Sequence, residues 1–424
     1  MTEAGASISI SPDLADVLVV NTCGFIESAK KEAIEAILQL ADYKSPNGPA
    51  KFLIVAGCLA QRYASEIYDS LPEVDVVLGT GEYDQITATI ARLLSGETGT
   101  GNRHLPGRPG SLDHLQAART PSTRGRYAYI KVAEGCSNCC SYCAIPGIRG
   151  PFQSRPMDEI VSEADRLSQN GFDELILIAQ DTTRYGLDLY GGRMLVPLLR
   201  DICKLDDVRM VRILYVYADG LTDELISLMA SEPKIAHYLD LPIQHAADRI
   251  LKAMNRRDSQ DSLSEVIGKL RTAMPDIILR STVMVGFPGE TEEDFNELLD
   301  FLTKIRFERL GCFIFSPEEG TQAEEMSPKV AKSIGKKRIQ RVMKLQKQLT
   351  EQANQQRIGT VIPVTLESVD PDGIFFIGRS YGEAPDVDPF IYVAASAAGL
   401  SIGQTCPVRL IEAGEYDMTG VTQF

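Results

Sequence analysis

The sequence predicts an α/β protein in three parts: a small N-terminal parallel-sheet domain, a central partial (β/α) barrel and a small C-terminal β-barrel. Three observations carry this. Residues 16–95 alternate short apolar runs with helix-period stretches. A second block repeats that alternation six times. The last 67 residues or so switch to short strand-like runs broken by Gly, Pro and Asp. The boundaries read as 1–98 for the first domain, 99–125 for a linker, 126–356 for the barrel with a basic helix at its end, and 357–424 for the terminal barrel.

In the first part, Ala15–Asn21 reads as a buried parallel strand, Glu27–Tyr43 as a helix and Phe52–Ala56 as a second strand. Tyr63–Ser70 is expected as a short helix, Val74–Gly79 as a third strand and Tyr83–Leu94 as a final helix. Ser95–Arg126, rich in Gly, Pro, Ser, Thr and Arg without periodicity, reads as the connection. The barrel strands are expected at Tyr127–Val132, Glu174–Ile178, Val211–Tyr215, Tyr238–Leu241, Ile277–Val285 and Leu310–Phe315. Helical stretches separate them, as parallel pairing requires. Lys329–Gln356 is a long helix rich in Lys, Arg and Gln. Val361–Glu367, Ile374–Gly378, Phe390–Val393, Thr405–Ile411 and Asp417–Val421 then suit a small β-barrel.

At 424 residues with 44% hydrophobic and 24% charged side chains, the chain can bury a large core without staples. The formal net charge of −15 argues against stable nucleic-acid binding, which needs a basic surface, and favours a basic protein partner. No apolar stretch reaches the roughly 20 residues that span a bilayer, and the first residues lack the pattern of a signal peptide. No membrane partner is expected, and the location is expected to be cytoplasmic. The nine cysteines are few and unevenly placed, four of them between Cys136 and Cys143. Such crowding suits metal binding in a reducing compartment better than disulfides.

The crowded stretch is Glu134-Gly-Cys136-Ser-Asn-Cys139-Cys140-Ser-Tyr-Cys143-Ala-Ile-Pro146, directly after an expected strand. Thiolates are soft ligands that suit iron–sulfur clusters. Cys136, Cys140 and Cys143 are spaced so that one loop offers three sulfurs to three corners of a cubane, leaving the fourth iron open. The alternative is a tetrahedral zinc loop, although such sites usually pair two distant Cys-x-x-Cys halves. Cys139 is read as a bystander.

This stretch resembles the signature of the radical S-adenosylmethionine enzymes. The resemblance implies that Cys136, Cys140 and Cys143 hold a 4Fe–4S cluster. Its electron splits S-adenosyl-L-methionine into methionine and a 5′-deoxyadenosyl radical. Further segments narrow the resemblance. They are Asn21-Thr-Cys23-Gly-Phe-Ile-Glu-Ser-Ala-Lys30, Gly57-Cys58-Leu-Ala-Gln-Arg62, Ala144-Ile-Pro-Gly-Ile-Arg-Gly150, Leu241-Pro-Ile-Gln-His245, Gly286-Phe-Pro-Gly-Glu-Thr291 and Phe315-Ser-Pro-Glu-Glu-Gly-Thr321. In this order they look like the methylthiotransferase family of that class. Ser380-Tyr-Gly-Glu-Ala-Pro-Asp-Val-Asp388 looks like the branch that modifies the twelfth protein of the small ribosomal subunit.

That family binds a second, auxiliary 4Fe–4S cluster through three cysteines, and Cys23 and Cys58 match two of them. The resemblance places the first one upstream, and no cysteine precedes Cys23. Either the start is truncated or the auxiliary cluster has incomplete ligation. The family reading further implies β-methylthiolation of an aspartate in that ribosomal protein, with one S-adenosyl-L-methionine supplying the methyl group and a second the radical. An electron donor such as flavodoxin or ferredoxin is implied. The alternatives are the same chemistry on a tRNA adenosine, a non-catalytic metal-bound scaffold, and a cluster protein impaired by the missing cysteine.

Outside the cysteines, Gln180 and Asp181 end a strand and are expected at the functional end of the barrel. Gln180 and Gly286, the latter in a Pro-Gly turn, are expected near the cosubstrate. His245 is weighed as a structural group against a direct role. The Lys329–Lys347 run reads as a solvated helix face, the alternative being a docking surface for ribosomal RNA or for the acidic barrel. From Ile358 onward nine acids face two bases, Arg379 and Arg409. The segment resembles a TRAM domain, and its acidity is expected to attract a basic protein.

Overall fold

A computed structural model describes Met1 and residues 5–46, 48–96, 103–107, 109, 112–116, 121, 123, 125–394 and 399–423. About half of the expected 99–125 linker lies outside the described residues. The chain divides into two compact units, and these cut across the sequence order. One holds residues 1–119, 134–153 and 316–325; the other holds 120–133, 154–315 and 326–424.

The first unit is built on a three-stranded parallel sheet, β1 (Val17–Thr22), β2 (Phe52–Gly57) and β3 (Val76–Leu78), in that order. Alternate residues of β2 serve opposite faces, as the two-residue period of a strand dictates. Leu53 and Val55 pack with Ala33 and Ile37 of α1 (Glu27–Ala41) and with Leu59, Ala60 and Ile67 of α2 (Cys58–Ser70). Ile54 and Ala56 pack with Leu78 and with Leu93 of α3 (Ile86–Ser95). One expectation changes here. The helix expected from Tyr63 already begins at Cys58, and only Tyr63 departs from helical geometry within it. Cys-Leu-Ala-Gln-Arg are residues free to enter a helix directly after Gly57, so Cys58 becomes the first helical residue.

The second unit contains an open six-stranded, all-parallel sheet. Its strands are β4 (Tyr127–Lys131), β5 (Glu174–Ile178), β6 (Met210–Ile213), β7 (Ile235–Asp240), β8 (Ile278–Val285) and β9 (Arg309–Ile314), neighbours in sequence order. Helices Met157–Gln169, Leu195–Cys203, Asp223–Ser231, Gln260–Ala273 and Glu292–Ile305 provide crossovers. This is the partial (β/α) barrel the sequence predicts. After helix Lys332–Arg357 comes a closed barrel of β10 (Val361–Val369), β11 (Phe376–Arg379), β12 (Ile391–Ala394), β13 (Thr405–Ala413) and β14 (Met418–Thr422). Its ring order is β10-β11-β12-β14-β13, with β12 and β14 parallel. Cys406, Val408 and Leu410 alternate into its interior.

Much of the Ser380–Asp388 segment is buried, with Asp386 and Val387 exposed. Ala384 is fully buried in one cluster with Tyr127, Ile176, Met210, Tyr238 and Ile278 of the six-stranded sheet. Tyr238 donates its hydroxyl to Asp388 at 2.6 Å, and Tyr127 and Tyr129 donate theirs to Asp386. Glu383 accepts from Arg357 at 2.8 Å and from the Ser380 hydroxyl at 2.6 Å. Beside it, Arg379 donates to Glu174 at 2.9 Å, and Arg212 donates to the same carboxylate at 3.0 Å. Tyr127, Glu174, Met210 and Ile278 each open their strands. The segment therefore seals the amino-terminal end of the sheet, the end that serves stability in such folds. Of the nine terminal acids, Glu367, Glu383, Asp386 and Asp388 are engaged in these contacts. Glu415 pairs with Lys347 at 2.9 Å, so the acidity read as attraction for a partner rests on Asp370, Asp372, Glu412 and Asp417.

Candidate functional site

The loop after β4 starts with a glycine that nothing else can replace. Gly135 has φ of +72°, and a Cβ there would lie 2.1 Å from the Pro151 carbonyl oxygen. The Cys136 N–H donates to the Gly150 carbonyl at 3.1 Å, which closes the loop on itself. The Cys143 N–H donates to the Cys140 carbonyl at 3.1 Å, and a one-turn helix, Ile145–Arg149, follows. Cys136 and Cys140 are buried, Cys143 is half-buried, and Cys139 is exposed with φ of +54°. Burial, and secondarily the Cys140 and Cys136 thiols, push the Cys143 thiol up to about 12. The loop thus brings its three predicted ligands within electrostatic range of one another. Cys139 donates instead to the Ser137 carbonyl at 3.7 Å.

Cys23 and Cys58 follow the last paired residues of β1 and β2, Thr22 and Gly57. They leave adjacent parallel strands at the same level. Gly24 confirms how close the two turns run, because a Cβ on it would lie 2.7 Å from the Leu59 nitrogen and 2.9 Å from the Cys58 carbonyl carbon. Cys23 is exposed and Cys58 buried. Arg62 of α2 donates to the Gly24 carbonyl at 3.0 Å and to the Glu319 carbonyl at 2.7 Å. Glu318, nearly fully buried, accepts from the Glu27 N–H that opens α1 and pairs with Lys30 at 2.9 Å. In the same unit, the Ala323 N–H donates to the Ser141 carbonyl at 2.8 Å. The 316–325 segment therefore touches both cysteine neighbourhoods.

Arg149 also touches both. Its Nη1 donates to the two Glu134 oxygens at 3.0 Å each, and its Nη2 donates to the Cys58 sulfur at 3.4 Å. Burial alone would lower its pKa, but the Glu134 carboxylate and then the Cys58 sulfur hold it above the ordinary arginine value. Tyr83 stands close by and donates to Asn21 at 3.2 Å. Burial pushes its hydroxyl up to about 12.

In the second unit, Gln180 lies two residues past the end of β5, at the carboxyl edge of the sheet. Its Oε1 is buried and has no hydrogen-bond partner among the described residues. Asp181 is fully buried and accepts from Thr183 at 2.5 Å. Gly286, with φ of +75°, donates its N–H to Glu290, as does Phe287 at 3.0 Å. The Gly286 N–H is thus already engaged. His245 is fully buried, and its Nδ1 accepts from the Ala247 N–H at 3.0 Å. That places the ring proton on Nε2, 3.7 Å from Glu290. Nε2 and the facing Glu290 Oε1 are both buried without a hydrogen-bond partner among the described residues. The basic helix run is not uniformly solvated: Arg338 is buried against Glu290 at 3.2 Å, whereas Lys336, Lys337 and Lys344 are exposed.

Three family models match the chain: "Uncharacterized protein family UPF0004" over residues 1–79, "Radical SAM superfamily" over 130–302 and "TRAM domain" over 358–422. The ribosomal protein uS12 methylthiotransferase RimO of Acetivibrio thermocellus is 44% identical over 416 residues, which cover 97% of this chain and 91% of the relative. The enzyme of the same name from Pelotomaculum thermopropionicum is 45% identical over 423 residues, covering 100% and 94%. The chain belongs to the RimO family. As a RimO family member it is an enzyme, a radical SAM methylthiotransferase. Among solved structures, it is similar to the radical S-adenosylmethionine methyltransferase TsrM from Kitasatospora setae, with a TM-score of 0.53 at 16% identity, covering 72% of this chain and 65% of that one. It is also similar to the cobalamin-dependent radical enzyme OxsB, with a TM-score of 0.51 at 14% identity, covering 84% and 54%. At such identities these two likenesses speak to fold alone.

The RimO family implies an iron–sulfur cluster, and the loop bearing Cys136, Cys140 and Cys143 fits one, whereas Cys23 and Cys58 offer two thiols where the resemblance expects three. Among the described residues, no three Cys, His, Asp or Glu side chains converge closely enough to hold a single ion. A cubane takes one thiolate per iron, so its cysteines stand further apart than the ligands of one ion. A self-closed loop that carries Cys136, Cys140 and Cys143, two of them buried, is a donor set of that kind. Sequence reasoning missed Arg149, Glu134 and Glu318. All three lie in or beside segments that carried the family resemblance, and a charged side chain within a cysteine-ligand motif was the available signal.

Proposed function

We propose that this chain attaches a methylthio group to the β-carbon of a specific aspartate in ribosomal protein uS12. The observation that carries this reading is the presence of both cysteine sets in one compact unit. Cys136, Cys140 and Cys143 stand on the loop, and Cys23 and Cys58 at adjacent strand ends. In this reading Cys136, Cys140 and Cys143 hold the radical-generating 4Fe–4S cluster and leave one iron open. Cys23 and Cys58 serve an auxiliary 4Fe–4S cluster. When bound, the two groups supply the electron that cleaves S-adenosyl-L-methionine and the sulfur that is transferred.

The chain's own residues do the rest. Gly135 and the Cys136–Gly150 hydrogen bond fix the loop, and burial keeps water from Cys136 and Cys140. Gln180, with a buried acceptor lacking a partner among the described residues, is suited to a donor group of the cosubstrate, and Gly286 shapes a turn at the carboxyl edge of the sheet through Glu290. Residues 1–98, 126–356 and 357–424 act as the auxiliary-cluster, radical and TRAM-like domains. A flavodoxin- or ferredoxin-type donor and a cytoplasmic location go with a ribosomal substrate.

The test is direct. Purified chain, reconstituted anaerobically and given S-adenosyl-L-methionine and a reductant, is offered uS12 and tRNA separately. Mass spectrometry should find one methylthio group on a single uS12 aspartate. Modified tRNA with unchanged uS12 would overturn the substrate. Continued 5′-deoxyadenosine release after replacing Cys136, Cys140 and Cys143 by alanine would overturn the cluster assignment.

A further inference from the structure

The six-stranded sheet is open, so β4 and β9 are its two edges, and the chain treats them differently. Along an edge strand, successive residues turn their backbone N–H and C=O alternately toward the neighbouring strand and outward. The Val132 N–H donates to the Ile178 carbonyl at 2.9 Å, which turns the backbone groups of Tyr127, Tyr129 and Lys131 outward on β4. Two of those carbonyls are claimed within the chain. The Thr123 hydroxyl donates to that of Tyr127 at 2.8 Å, and the buried Arg155 guanidinium donates to that of Lys131 at 2.9 Å. On β9 the Phe315 N–H donates to the Val285 carbonyl at 2.9 Å, so Leu310, Cys312 and Ile314 turn their backbone groups outward. Among the described residues, none of these three makes a hydrogen bond beyond the ladder with β8.

Strand β9 also lacks the devices that blunt an edge. Leu310 to Phe315 holds no charge and no proline, and the pairing with β8 runs without a bulge. Phe313 is 57% exposed, and its ring lies over Gly311, where a Cβ would stand 3.4 Å from it. We propose that β9 is the docking edge for the protein substrate: an extended segment of uS12 adds to it as a further strand, bonded to the backbone of Leu310, Cys312 and Ile314, with Phe313 as its apolar anchor. The inference rests on the reading of uS12 as the substrate. Amide donors and carbonyl acceptors repeating every two residues, about 6.6 Å, match another polypeptide in extended form and not a phosphate chain. The row is also continuous with the functional end of the sheet. β9 runs parallel to β8 and finishes at the carboxyl edge, where Gly286 turns and where the chain leaves β4 for the Cys136 loop. A segment paired along β9 is led to that edge.

The experiment measures amide exchange at residue resolution on the full chain, alone and with saturating uS12, with binding followed separately by the fluorescence anisotropy of labelled uS12. The amides of Leu310, Cys312 and Ile314 should exchange about tenfold more slowly in the complex, whereas those of Gly311 and Phe313, already in the ladder, should change little. Bound uS12 without slowing at the three outward amides overturns the docking edge and leaves the substrate reading standing. Slowing that grows with chain concentration in the absence of uS12 gives the edge to a second copy and likewise overturns the proposal. A chain to which uS12 does not bind overturns both. Cys312→Pro deletes the middle outward N–H at a position where an edge strand tolerates proline. The folded variant should bind uS12 about tenfold more weakly, and equal affinity overturns the proposal. If that variant does not fold, the exchange measurement on the unaltered chain decides.

Discussion

The two compact units are held together by different means. In the cysteine-bearing unit, three discontinuous stretches of chain meet around a three-stranded sheet, and single polar side chains join them: Arg149 to Cys58 and Glu134, Arg62 to Gly24 and Glu319, Glu318 to Lys30 and the start of α1. In the other unit, the six-stranded sheet and the Ser380–Asp388 segment share a deep apolar cluster, and the charges beside it are buried and multiply paired. The difference teaches where rigidity is concentrated. The scaffold is built to resist opening, whereas the cysteine loops are fastened at points that can be loosened one at a time.

The largest effect should come from breaking the scaffold's buried pairing. Arg379→Ala leaves Glu174 and Glu367 short of a partner inside the protein, and a cost of about 3–5 kcal/mol is expected in denaturant unfolding. A cost typical of a surface residue would show that the terminal barrel is only loosely seated.

Acid should act on the same seam. Burial opposes ionisation of Glu383, but Arg357 and Arg309 outweigh it and hold the carboxyl at about 2, below its ordinary 4.5. A depressed carboxylate pKa stabilises the fold above 4.5, and that stabilisation drains away as pH falls from 4.5 toward 2. The Glu383→Gln variant should therefore show a shallower loss of stability across that window than the unaltered chain. Parallel pH profiles would remove Glu383 from the account.

Tyr238→Phe deletes the donor 2.6 Å from Asp388 while keeping the ring. A loss of about 2 kcal/mol is expected, since a buried acceptor is left short. The smallest effect should be in the other unit. Arg62→Ala should cost about 1–2 kcal/mol, seen as faster amide exchange near Gly24 and α1 with no change in β4 to β9. Exchange that quickens throughout the chain would erase the contrast between the units.

Much of this architecture was legible in the sequence because parallel strands buried on both faces leave unbroken apolar runs. Glu174–Ile178 was placed to the residue, and the other sheet strands to within three. The three loop cysteines stand out in the sequence because their spacing is local, and the structure places them on one loop. The start of α2 was not, since nothing after Gly57 marks a helix entry apart from permissive residues. Arg149 was missed because its partner lies on another segment, a pairing that only tertiary structure creates. The burial of Ser380–Asp388 was missed for the opposite reason. Its Gly, Pro and Asp content is that of an exposed turn, and only the tyrosines and arginines of the facing sheet make such a stretch a place to bury.

That buried segment bears on how this kind of protein could be re-engineered. A terminal module whose lock is cut from the neighbouring sheet cannot be exchanged like a bead on a string. A chimera that imports a foreign barrel would also have to import Tyr127, Tyr129, Glu174, Arg212 and Tyr238, the keyhole as well as the key. Lineages that swap target preference through this appendage must therefore alter two distant stretches of gene together.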